Sequence, residues 1–96
     1  MPKYAFFKNQ IVPIEDAKIS IMTHAFNYGT GVFEGIRAYW NAEEEQLYAL
    51  HLAPHYARLL NSCKLLMMSI PYTVQQLCDI TVELLRKEGF REDAYV

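Results

Sequence analysis

"HAFNYGTGVFEGIRAYW", residues His24 to Trp40, decides how the chain is read. It is apolar and aromatic, holds Gly29, Gly31 and Gly35, and lacks proline. Its second half, Val32 to Trp40, reads as a strand because β-branched and aromatic residues dominate it. Side chains alternate along a strand, so Val32, Glu34, Ile36 and Ala38 share one face. Phe33, Gly35, Arg37 and Tyr39 share the other. Glycine inside a strand weakens it and marks close approach by a ligand or another backbone. A ring, a gap and a permanent positive charge on one face suit a small anion with an apolar part, such as an amino or keto acid. The same residues also fit a core ring, a bulge glycine and an arginine paired to a surface acid.

Outward from this strand, the polar run "NAEEEQ" reads as a solvated acidic turn and "LYAL", residues 47–50, as the returning strand. On the N-terminal side, Tyr4–Phe7 and "IVPI" read as a hairpin with its turn at Asn9-Gln10, and Pro13 ends the second strand or confines it to an edge. Thr23 to Tyr28 is expected to form one helical turn closed by Gly29. On the C-terminal side, Pro54 opens a helix over about 54–68, where its missing N–H is harmless. Tyr56, Leu59, Leu60, Cys63, Leu66 and Met67 make its apolar stripe. Thr73 and Gln76 form a capping box for a second helix over 74–88, with Leu77, Ile80, Thr81, Leu84 and Leu85 as its stripe. Arg86 and Lys87 suit its last turn and Gly89 its end. "AYV" starts a further strand, and a strand met at its second or third residue raises the expectation that the chain is truncated. The fold class expected is α+β: a small antiparallel or mixed sheet packed against two helices.

The 96 residues suit one small domain, with 52% hydrophobic and 21% charged residues. A chain of this length buries about 60–65% of its unfolded surface. A net charge of −2, without a basic run, withholds the electrostatic footprint of nucleic-acid binding. No apolar run approaches a membrane span and no signal-peptide pattern opens the chain, so a cytoplasmic protein is expected. Cys63 and Cys78 are expected to be reduced thiols used as small core residues.

Other candidates carry less chemistry. His51 and His55 are four apart, but Pro54 places His51 before the helix and no third ligand is evident, so no metal site is expected. His24 reads as a turn or capping residue. "GTG" at 29–31 lacks the rest of a P-loop. Arg58 lies beside the stripe of the first helix, placed to reach a phosphate or carboxylate at the sheet, or simply to face solvent.

"HAFNYGTGVFEGIRAY" closely resembles the N-terminal signature of branched-chain amino acid aminotransferases, fold-type IV pyridoxal-phosphate enzymes. "EDAKISIMTHA", "LHLAPHYARLLNSCKLLMM" and the closing "AYV" fall in the same family order. The resemblance implies that residues 1–96 form the small N-terminal domain of such an enzyme. It implies transfer of amino groups between branched-chain L-amino acids (Leu, Ile, Val) and 2-oxoglutarate, with pyridoxal 5′-phosphate as cofactor, in a homodimer or higher oligomer. Phe33, Gly35, Arg37 and Tyr95 would line the substrate pocket, with Arg37 organising its polar end through hydrogen bonds to tyrosines. Tyr28 would reach the neighbouring subunit's site. Arg58 would bind the cofactor phosphate. Transamination also needs a lysine that holds the cofactor and moves the Cα proton. Lys3, Lys8, Lys18, Lys64 and Lys87 match no part of that lysine's motif, so the chain alone is expected to be inactive. Its uncovered apolar surface around Tyr28 to Phe33 is expected to drive self-association. Gln10 where asparagine-glycine is favoured, and Gly31 where serine is common, are departures that touch no chemistry. Two alternatives stand beside this reading: a fold-type IV transaminase or lyase of other specificity, and a small non-catalytic α+β interaction module.

Overall fold

The computed structural model describes residues 2–23, 28–29 and 31–96. The predicted turn at Thr23 to Tyr28, and His24 with it, lies mostly outside these residues.

Strands β1 (Tyr4–Phe7) and β2 (Gln10–Pro13) form an antiparallel hairpin with Phe7 opposite Gln10. The turn is therefore Lys8-Asn9, one residue earlier than expected. Both residues have positive φ, 51° and 68°. Two such residues make the turn whose twist matches paired strands, and asparagine tolerates that conformation. Pro13 closes β2, and the pairing is extended by Ile14 N–H donating to the Lys3 carbonyl at 2.8 Å.

A second sheet has the order β4-β3-β5, all antiparallel: β3 (Arg37–Asn41), β4 (Gln46–Ala49) and β5 (Ala94–Tyr95). The central strand thus starts at Arg37, five residues later than the sequence pattern suggests. Its partners explain the difference. Leu50 N–H donates to the Arg37 carbonyl on one side, and Val96 N–H to the Ile36 carbonyl on the other, both at 2.8 Å. Among the described residues, nothing pairs with the backbone ahead of Ile36 in a ladder. The acidic turn is held locally: Asn41 Oδ1 accepts from Glu44 N–H at 3.1 Å, and Tyr48 O–H donates to the Glu44 carboxylate.

Helix α1 (Leu52–Leu65) begins two residues before Pro54, which still falls in the first turn, where a missing N–H costs nothing. Its end corrects the expected stripe. Met67 takes the left-handed conformation at φ 57°, while Met68 N–H reaches the Cys63 carbonyl at 2.7 Å and Met67 N–H the Lys64 carbonyl at 3.0 Å. This pattern of bonds terminates a helix and turns the chain away. Leu66 and Met67 are therefore exposed instead of buried, Met67 at 96%. Helix α2 (Val74–Glu88) spans the residues expected of it. Thr73 Oγ1 accepts from Gln76 N–H at 3.1 Å, and Gln76 Oε1 accepts from Thr73 N–H at 2.8 Å. Gly89, at φ 68°, ends the helix with its N–H on the Leu85 carbonyl.

The core is small: Ile36 just ahead of β3, Ala38 in β3, Cys63 from α1 and Thr81 from α2 are the buried residues among those described. Thr81 is satisfied twice, donating to the Leu77 carbonyl at 2.8 Å and meeting the Tyr56 hydroxyl. That second contact ties α1 to α2. The hairpin docks on α2 through the Glu88 carboxylate, which accepts from the backbone N–H of Lys3 (2.8 Å) and Tyr4 (2.6 Å). Phe6 meets Tyr72 edge-on at 5.9 Å. Both cysteines are free, and burial and the neighbouring Asp79 push the Cys78 thiol pKa up.

Because the box satisfies two backbone donors, Thr73→Ala is expected to cost about 1 kcal/mol. In a domain of this size that is a fall of roughly 4–8 °C in thermal midpoint by circular dichroism, with the fold retained.

Candidate active site

The inward face of the Val32–Ala38 segment carries one charged member. Ile36 and Ala38 are 2% and 0% exposed, and the Glu34 side chain is 9% exposed. A carboxylate at such a position needs partners. Helix α1 supplies them from consecutive turns, since residues three apart lie on one helix face. Arg58 donates from Nε to Glu34 Oε2 at 2.8 Å and from Nη2 to Oε1 at 2.6 Å. His55 Nδ1 lies 2.8 Å from the same Oε1. The Arg58 guanidinium first, and His55 second, hold the Glu34 pKa well below its ordinary 4.5, at about 2, against the opposing effect of partial burial. Ionised Glu34 in turn raises the Arg58 pKa.

Arg58 is not simply a solvated helix residue. Its Nε–Nη2 edge faces Glu34, and among the described residues no hydrogen bond uses Nη1. The side chain keeps 66% of its exposure. It opens on a cavity of about 350 Å³ lined by His51, Pro54, His55 and Arg58. His51 stands just before the helix with φ 54° and makes no side-chain cap. The two histidines therefore border one cavity without acting together: His55 is turned to Glu34. Among the described residues, no three histidines, cysteines or carboxylates are grouped to hold a metal, and no helix is long and apolar enough to cross a membrane.

The substrate-wall candidates meet at the β3–β5 edge. Arg37 stands opposite Tyr95 in the register, so their side chains share a face. Tyr39 and Tyr48 form the next pair on that face, both exposed. The gap expected at Gly35 is taken by Tyr95: a Cβ built on Gly35 would collide with the Tyr95 hydroxyl. Glycine at this position makes room for a tyrosine. Tyr95 itself remains 70% exposed. Arg37 borders an open cavity of about 240 Å³ with Tyr39, Asp93 and Tyr95. Arg37 and Tyr95 are cross-strand partners in the register, with Tyr39 following on the same face. Phe33 is 88% exposed and Tyr28 73% exposed, with Ile21 and Met22 nearby in sequence at 75% and 77%. Gly35, Arg37 and Tyr95 are thus brought together, and Phe33 and Tyr28 are exposed. Glu34 was missed by the sequence reading. Its signal was an acid on the inward face of a strand pattern, followed by His55 and Arg58 at helical spacing.

No protein-family model matches the chain. It is 57% identical over 93 residues to the Aquifex aeolicus protein named "Probable branched-chain-amino-acid aminotransferase", covering 97% of this chain and 30% of that one. It is 33% identical over 93 residues to the branched-chain-amino-acid aminotransferase of Escherichia coli, covering 97% and 29%. The crystal structure of the Escherichia coli enzyme superposes with a TM-score of 0.90 at 32% identity, over 99% of this chain and 30% of that one. The branched-chain aminotransferase of Thermoproteus uzoniensis, solved with norvaline, superposes at 0.85 with 46% identity over 91% and 29%. That of Thermobaculum terrenum in its pyridoxal-phosphate form superposes at 0.88 with 37% identity over 98% and 31%. By sequence and by fold, the chain is homologous to one part of the branched-chain aminotransferases. It spans about 30% of the length of the curated relatives it matches.

Two outcomes follow from this geometry. Gly35→Ala is expected to displace the Tyr95 ring while costing less than about 1 kcal/mol, because the atom in the way is the far end of an exposed side chain. Ring resonances of Tyr95 unchanged by the substitution would contradict the packing. Glu34, with its folded pKa lowered, stabilises the fold fully above pH 4.5 and loses that contribution as pH falls through about 2. The Glu34 carboxyl carbon, followed by NMR, should titrate near 2; a midpoint at 4.5 would mean the ion pair is absent in solution.

Proposed function

We propose that this chain forms the small N-terminal domain of a longer pyridoxal-phosphate-dependent transaminase. Its substrates on this reading are the branched-chain L-amino acids Leu, Ile and Val, with 2-oxoglutarate as amino acceptor. One observation carries the reading: the register sets Arg37 opposite Tyr95, with Tyr95 lying against bare Gly35, inside the stretch shared with the homologous enzymes.

The residues present fit the cofactor's phosphate end. Arg58 lines an open cavity while its Nε–Nη2 edge is on Glu34, and a guanidinium pairs with phosphate oxygens through parallel donors. The cofactor, when bound, supplies the electron sink that lets an amino acid Cα lose its proton. The chain's own residues bind and orient. Arg37 gives the wall its permanent positive charge beside the tyrosines. Phe33 adds exposed ring surface on which a branched side chain rests. Tyr95, seated over Gly35, borders the polar end. Tyr28 projects toward a neighbouring subunit in a cytoplasmic homodimer. On this reading the lysine that holds the cofactor and takes the Cα proton belongs to the remainder of the longer enzyme.

The test is 2-oxoglutarate-dependent amino transfer by the full-length protein and by the 96-residue chain alone. The full-length protein should act on Leu, Ile and Val at least about tenfold better than on D-alanine or phenylalanine, a difference of about 1.4 kcal/mol in transition-state binding. The chain alone should give no turnover. Preference for a D-amino acid or an aromatic one would replace the substrate assignment. Turnover by the chain alone would overturn the division of labour.

A further inference from the structure

Arg58 reaches the candidate phosphate cavity from a helix surface, on a long and otherwise mobile side chain. What fixes it is Glu34. The carboxylate takes the Nε and Nη2 donors together, which sets both the plane of the guanidinium and the edge it presents. Glu34 is itself fixed. Its side chain is 9% exposed, it precedes buried Ile36 by two residues, and Oε1 also meets His55 Nδ1 one turn earlier on α1. Arg58 lines the cavity, and among the described residues no hydrogen bond uses its Nη1.

We propose that Glu34 is a positioning residue: by holding the Nε–Nη2 edge of Arg58, with His55 as its second anchor, it presets Nη1 to receive the phosphate of the cofactor. The proposal rests on the assignment of Arg58 to that phosphate. It adds a charged partner that never touches the ligand. Two consequences are specific. Loss of Glu34 should act on the phosphate and not on the pyridine ring. It should also weaken binding although it removes a negative charge near a dianion. If Glu34 merely competed for Arg58, its loss would tighten binding.

The experiment compares pyridoxal 5′-phosphate with pyridoxal, which lacks the phosphate, as ligands of the full-length apoprotein, by absorbance titration. Variants are Glu34→Gln, Arg58→Lys and the double substitution. Glu34→Gln should weaken pyridoxal 5′-phosphate about tenfold, the low end of what partners behind a binding residue typically contribute, and change pyridoxal less than about twofold. Arg58→Lys should lose the same preference, and the double variant should be no worse than Arg58→Lys alone, as expected of residues acting through one contact. Unchanged or tighter pyridoxal 5′-phosphate binding by Glu34→Gln, with the preference lost in Arg58→Lys, would overturn the proposal and leave the phosphate assignment standing. No effect of Arg58→Lys on the preference would overturn both. If Glu34→Gln does not fold, Glu34→Asp, which keeps the charge and shortens the reach, is measured instead, and the same loss of preference is expected.

Discussion

A single carboxylate joins the two halves of this molecule that matter for function. Glu34 lies in the segment leading into the central strand, and Arg58 and His55 lie on the first helix. Without their contact the glycine-rich approach to β3 would have no charged tie to α1 among the described residues. The pairing also compensates a carboxylate whose side chain is largely withdrawn from solvent, and it holds the Glu34 pKa well below its ordinary value. Glu34 thus ties the approach to β3 to the helix that lines the candidate phosphate cavity, and Arg37 and Tyr95 follow because β3 carries the one and pairs with the other.

Much of the fold was legible in the sequence because local signals agreed with each other. Thr73, Gln76, Gly89 and the apolar spacing between them all point to a helix over 74–88, and that helix is found there. The hairpin, the acidic turn and the returning strand each rest on a turn flanked by β-prone residues. Where the reading slipped, the deciding interactions were not local. Val32 to Ile36 has strand composition, but a strand exists only where a neighbour pairs with it, and the neighbours arrive at Ile36 and Arg37. Leu66 and Met67 continue the helical spacing of α1, yet the chain turns at Met67, and apolar spacing does not say where backbone bonds will close a helix. The two-residue turn at Lys8-Asn9 shifted by one because asparagine is acceptable at either position of it.

The site was legible in part for the same reasons. Gly35 and Arg37 stood out because glycine and arginine are unusual on one face of a strand, and Tyr95 joined them through the family resemblance. What the pattern could not supply was occupancy: the gap at Gly35 holds the Tyr95 ring. Glu34 was passed over because its importance lies in two residues twenty-one and twenty-four positions away. An inward-facing acid is the trace such a contact leaves in a sequence, and it becomes readable only beside a helix that offers basic residues three apart.

The chain thus presents a tyrosine-lined sheet face that carries Arg37 and an arginine held by Glu34 at a second cavity, with Phe33 and Met67 exposed. The central claim is that Arg58, held by Glu34, is the phosphate end of a cofactor site whose reacting end lies elsewhere in a longer protein. The most direct measurement is a crystal structure of the full-length protein with pyridoxal 5′-phosphate bound. The account predicts a phosphate oxygen within hydrogen-bond distance of the Arg58 guanidinium while Glu34 still holds its Nε–Nη2 edge. A phosphate bound away from Arg58, with that side chain in solvent, would contradict it.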